Sequence, residues 1–97
     1  MNYITLTKQN KQFTDTMNLI EERITDTKCT ASPNINCFYI RHTKSFSHNV
    51  SVTVHESNGK LLFLIKHNSD VLIPLLTKVQ QTLNGRHHDA EVKIIRE

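Results

Sequence analysis

The run Val50-Ser51-Val52-Thr53-Val54-His55-Glu56-Ser57-Asn58-Gly59-Lys60-Leu61-Leu62-Phe63-Leu64-Ile65-Lys66 reads as a β-hairpin. Val50, Val52 and Val54 alternate with Ser51, Thr53 and His55, which is the period of a half-buried strand. Asn58-Gly59 suits a type I′ turn, whose two central residues both need positive φ. With these two as the turn, Ser57 faces Lys60, His55 faces Leu62, Val54 faces Phe63, Thr53 faces Leu64 and Val52 faces Ile65. Val52, Val54, Phe63 and Ile65 then share one face, assigned to the core. Thr53, His55, Leu62 and Leu64 share the other. Two leucines are unusual on a solvated face and are expected to be covered or to meet a partner.

Working outward, Tyr3-Ile4-Thr5-Leu6-Thr7 is β-branched and alternating, a strand. Thr14 is a candidate N-cap, and Phe13, Met17, Ile20 and Ile24 form one apolar helical stripe. That helix is expected over about 15–27. Ser32-Pro33-Asn34 marks a loop after Cys29, and residues 35–42 read as a strand. Residues 43–48 are turn-like. Ser69 or Asp70 caps a second helix with Leu72, Leu75, Leu76, Val79 and Leu83 on its apolar side. Pro74 is tolerated only in a first turn, so regular helix should begin near Ile73, with 70–72 irregular. Asn84-Gly85 is read as its stop. Residues 91–96 alternate as a last strand. The order β-α-β-β-β-α-β gives a two-layer α+β fold. Both helices pack on one face of a mostly antiparallel sheet, since each has one stripe to bury.

The length, 97 residues, suits one domain over 1–97. Only two Gly and two Pro are present, which excludes low-complexity repeats and a glycine-rich phosphate loop. No apolar run approaches a membrane span, and no signal-peptide pattern opens the chain, so a cytoplasmic location is expected. The formal charge of +3 is unevenly spread. Residues 28–88 hold seven Lys and Arg against two carboxylates, and all six His. Such a segment suits a polyanion, although a mild basic bias also serves solubility alone. Six rings in a basic segment also allow a pH-responsive binder; they share no identifiable partner and read first as unrelated residues.

Cys29 and Cys37 are not spaced as a zinc or redox motif and read as reduced thiols, Cys37 as a small buried side chain. His87-His88 lacks further ligands at metal spacing, so no metal or cofactor is expected. No nucleophile elbow, zincin or Walker pattern occurs. Cys37 and His42 are five apart in one strand and point to opposite faces. Glu21 and Glu22 read as a solvated pair. A non-catalytic binding protein, with no small-molecule substrate, follows.

Two stretches carry a resemblance. The first is Leu6-Thr7-Lys8-Gln9-Asn10-Lys11-Gln12-Phe13-Thr14-Asp15-Thr16-Met17, continuing through Leu19-Ile20-Glu21-Glu22-Arg23-Ile24. The second runs from Val50 to Leu83. Together with the element order they resemble the bacterial ribosome hibernation-promoting (ribosome-associated inhibitor) family. The resemblance implies a protein seated on ribosomal RNA in the small-subunit decoding channel, excluding mRNA and tRNA. Its chemistry would be phosphate neutralisation and shape fit. The RNA-binding residues it implies are Lys8 and Lys11 before helix one, Arg23 within it, Lys44 in the strand connection, and Lys78, Arg86 and His87 at helix two. Glu21 and Glu22 on helix one would repel phosphate.

A second expectation comes from Thr53, His55, Leu62 and Leu64. These residues would serve a small protein-interaction module, such as a secretion chaperone, a phage-type inhibitor or an obligate homodimer.

Overall fold

The computed structural model describes residues 14–33, 36–44 and 48–97. The strand expected at 3–7, and Lys8 and Lys11, lie outside the described residues. Helix α1 covers 14–23. Five strands follow: β1 Thr27–Ala31, β2 Cys37–His42, β3 Asn49–Ser57, β4 Lys60–His67 and, after helix α2 Ile73–Arg86, β5 Glu91–Arg96. They form one sheet in the order β1-β2-β3-β4-β5. β1 to β4 pair antiparallel, and β5 pairs parallel to β4. That last pairing needs a crossover, which α2 supplies. The fold is α+β, with both helices on one sheet face.

The β3–β4 register is the one the sequence predicts, from Ser57 opposite Lys60 to Val52 opposite Ile65. Asn58 and Gly59 take φ of 53° and 79°. No atom lies within 4 Å of a Cβ added at Gly59, so substitution there strains only the backbone. Gly59→Ala is expected to cost about 1–2 kcal/mol through the left-handed penalty, read from the urea midpoint.

One core cluster joins Ile20 and Ile24 of α1, Phe38, Ile40, Val50, Val52, Phe63 and Ile65 of the sheet, and Leu72, Leu75, Leu76, Val79 and Leu83 around α2. Pro74 stands in the first turn of α2, after a 3-10 turn over Asp70–Leu72 that Ser69 caps. Both match the expected irregular start. The helix runs through Asn84-Gly85 to Arg86, beyond the expected stop. It ends at His87, whose N–H donates to Leu83 O at 2.8 Å while its ring packs on Phe63.

The first helix ends earlier than its pattern predicts, and after a reversal over 24–26 the residues Thr27–Ala31, read as helix end and loop, form β1. The reversal is made by Asp26 in the left-handed region at φ 65°. Thr27 Oγ1 donates to Ile24 O at 2.8 Å, satisfying a carbonyl at the helix end. Asp26 O accepts from Thr43 N at 2.8 Å and so ties the start of β1 to the end of β2. Glu21 is half-buried, not a solvated partner of Glu22. Its carboxylate accepts the Cys29 N–H at 2.7 Å and pins α1 to β1. The Cys29 thiol, on the core side of β1, has its pKa pushed up to about 12 by burial and then by the Glu21 charge. It is an inert thiol.

Candidate functional site

Strand parity sorts every sheet side chain to one of two faces. The helix-covered face takes Phe38, Ile40, Val50, Val52, Phe63 and Ile65. Among the described residues, no helix or strand packs on the other face. The ladder sets its side chains in rows across the strands. Lys28 stands opposite Arg41. Thr30, Tyr39, Ser51, Lys66 and Ile95 form the next row. Cys37, Thr53, Leu64 and Lys93 form a third, and His55, Leu62 and Glu91 a fourth. Lys60 continues the same parity of β4 at the hairpin end.

This open face therefore carries Lys28, Arg41, Lys60, Lys66 and Lys93 against the single carboxylate of Glu91. Glu91 is ion-paired with Lys93 at 3.7 Å, on the surface, where such a pair contributes little. Elsewhere among the described residues, eight carboxylates outnumber five Lys and Arg. The described residues are thus electrically two-sided. Lys28 directly opposite Arg41 sets like charges where cross-strand pairs are normally neutral or opposite. An anion placed over the pair relieves that repulsion.

Tyr39 is 42% exposed on this face. Its cross-strand neighbours Thr30 and Ser51 are short, as is Cys37 on one side along β2, and Arg41 flanks it on the other. Cys37 is half-buried on the open face and not a core residue as the sequence suggests. Leu62 and Leu64 are half-buried, with His55 and Thr53 as their cross-strand partners on β3 and Glu91 and Lys93 on β5; exposed Ile95 lies opposite Lys66, one row beyond Leu64. The four residues named for protein contact thus stand together.

Of the cations implied by the family resemblance, Lys8 and Lys11 lie outside the described residues, and none of the others is on the open sheet face. Arg23 and Lys78 line a shallow groove between α1 and α2 with Gln81 and Thr82. Lys78 also borders a cavity of about 280 Å³ with His42 and His48. Lys44 Nζ is 3.3 Å from Asp26 Oδ2. Arg86 and His87 line a pocket together with Asp15 and Thr16 near the start of α1. Asp15 and Asp26 thus bring negative charge to these cations, and Glu22 is exposed on the same helix as Arg23. Cys37 and His42 point to opposite faces, as their spacing predicts.

His87 is positioned by packing. Its ring lies 5.3 Å from Phe63, centroid to centroid, at an angle of 38°. Its Nε2 is buried and finds no hydrogen-bond partner among the described residues. Burial, then the Arg86 charge, holds its pKa below the ordinary 6.5. The unfolded chain therefore binds the proton more readily. Stability is full above about pH 7 and falls as pH drops through 6.5 toward the native pKa. The thermal midpoint is expected to fall between about pH 7.5 and pH 5.5, and to fall less in His87→Phe. Equal falls in both proteins would remove His87 as the cause.

Among the described residues, no group of three or more His, Cys, Asp or Glu could hold a metal ion. No described helix is long and apolar enough to cross a membrane. Comparison of the chain with protein-family models, with curated proteins and with solved structures finds no match in any of the three.

Proposed function

We propose that this chain is a non-catalytic RNA-binding protein that contacts its target through the open sheet face. The observation that carries this reading is charge placement. Among the described residues, five cations from four strands share with one carboxylate a sheet face that no described helix or strand covers, and two of them oppose each other directly. Phosphate contacts supply most of the affinity in such a surface, so binding weakens steeply with salt. The proposed target is ribosomal RNA of the small subunit, with action as a translation inhibitor in the cytoplasm. The resemblance of the sequence pattern to hibernation factors supports that target.

Co-sedimentation with ribosomes at low and high salt tests the proposal. Pelleting with the small subunit at low salt, lost at high salt, is expected. Absence of pelleting at low salt would refute the ribosomal target.

A second reading rests on Leu62 and Leu64, half-buried on the open face with His55 and Thr53 opposite them, and on exposed Ile95 one row beyond Leu64. This apolar strip would suit a protein partner or a second copy of the chain. Sedimentation velocity of the isolated protein separates the two: a monomer at micromolar concentration removes the obligate-dimer form of this reading.

A further inference from the structure

We infer that the open face takes single-stranded RNA in preference to duplex, with Tyr39 as the platform on which one base stacks. The inference rests on the RNA-binding reading and names the form of RNA. It starts from where the aromatic side chains lie. Phe38 and Phe63 are fully buried, whereas Tyr39 is 42% exposed on the uncovered face. Across the strands Tyr39 meets only the short side chains of Thr30 and Ser51; along β2 it stands between Cys37 and Arg41. Its exposed ring is thus flanked by short side chains across the strands and by a cation along β2, an arrangement that suits a flat anionic partner such as a nucleotide.

The cations surround that position. Arg41 is the next outward residue on β2, with Lys28 opposite it. Lys66 lies in the same row as Tyr39, two strands away. Neighbouring strands are about 4.8 Å apart, so Lys66 stands roughly 10 Å from Tyr39 across the sheet. A strand of RNA with a base on Tyr39 can set phosphates toward Arg41 and Lys28 on one side and toward Lys66 on the other. The hydroxyls of Thr30, Ser51 and Thr53 lie on the same face and can donate to or accept from base edges and 2′-hydroxyls. A duplex offers phosphates but keeps its bases stacked inside, so it cannot use the ring. Charge thus sets the affinity for any RNA, and Tyr39 sets the preference between forms.

Fluorescence anisotropy tests this with a labelled single-stranded RNA of about 12 nucleotides, within the usual range for such surfaces. The unlabelled single strand and its duplex serve as competitors. Wild type is compared with Tyr39→Ala and Tyr39→Phe, each checked for folding by circular dichroism. Tyr39→Ala should weaken single-strand binding about 5- to 100-fold, and Tyr39→Phe about 2-fold or less. The salt dependence of Tyr39→Ala should keep the wild-type slope, because no phosphate contact is lost. The duplex should compete at least about 10-fold less well than the single strand. If RNA binds but Tyr39→Ala matches wild type, or the duplex competes equally, the inference fails and the RNA-binding reading stands. If wild type binds neither form at low salt, both fail.

Discussion

Reversing charge at Lys28, Arg41 and Lys66 together is expected to abolish RNA binding without unfolding the protein. The three replacements, Lys28→Glu, Arg41→Glu and Lys66→Glu, lie in adjacent rows of the open face and are not members of the core cluster. Each cation that meets a phosphate contributes about 0.7 to the slope of log affinity against log salt for a single strand. Losing three should flatten that slope by about 2, and weaken binding by about 100-fold or more at low salt. The matched control is Arg23→Glu, Lys78→Glu and Arg86→Glu on the helix side, which changes net charge equally. It should weaken binding by less than about 5-fold, through the long-range field alone. The reverse ranking would move the RNA surface to the helices, where the family resemblance places it. Lys28→Glu by itself should raise stability slightly, by about 0.2–1 kcal/mol, because it turns a repulsive cross-strand pair into an attractive one. A surface that loses stability to keep two cations opposed is consistent with a functional constraint.

Phe63→Ala should produce the largest change in stability. Phe63 is 1% exposed and lies in β4 between Val54 of β3 and Val92 of β5. His87 at the end of α2 packs on its ring. Truncation removes an aromatic side chain from the middle of the sheet and the contact that ends the crossover helix. The cost for such a buried ring is about 3–5 kcal/mol. Against a total stability of about 5–15 kcal/mol, that is a large share. For a domain of this size the thermal midpoint should fall by about 15–30 °C. The urea midpoint should fall with little change in slope, since the same surface is exposed on unfolding. The same variant should lose part of the pH dependence assigned to His87, because the ring that buries the imidazole is gone. A loss below about 1 kcal/mol would mean that the sheet relaxes around the site, and that Phe63 does not hold α2 in place.

Local chemistry made some of this fold legible in the sequence. The β3–β4 register follows from Asn58-Gly59 and the valine alternation, because a two-residue turn leaves one pairing that buries a whole face. The start of α2 follows from Pro74, which only a first turn accommodates. β1 was not legible. Thr27-Lys28-Cys29-Thr30-Ala31 has no strong apolar alternation, and what makes it a strand is tertiary: the Glu21 carboxylate on Cys29 N–H and the Asp26 reversal. A left-handed Asp carries no glycine to announce it. Gly85 misleads in the other direction, since the helix tolerates it and ends where His87 finds Phe63.

The open-face cations were hidden for the same reason. Lys28 reads as the end of a helix until β1 is known. Lys66 and Lys93 belong to strands about thirty residues apart in sequence, and only the parallel placement of β5 beside β4 brings them together. Charge counting over residues 28–88 found the basic segment but not the face that presents it. Leu62 and Leu64 were assigned to that face by the hairpin register alone, which is why their grouping with Thr53 and His55 matches the structure.

The most direct test is an amide chemical-shift titration of the uniformly labelled protein with a single-stranded RNA. Salt-sensitive shifts should concentrate on the open-face strands, at Lys28, Tyr39, Arg41, Ser51, Lys66 and Lys93, leaving Arg23, Lys78 and Arg86 nearly unmoved. Shifts confined to α1 and α2, or no shifts at low salt, would contradict the account.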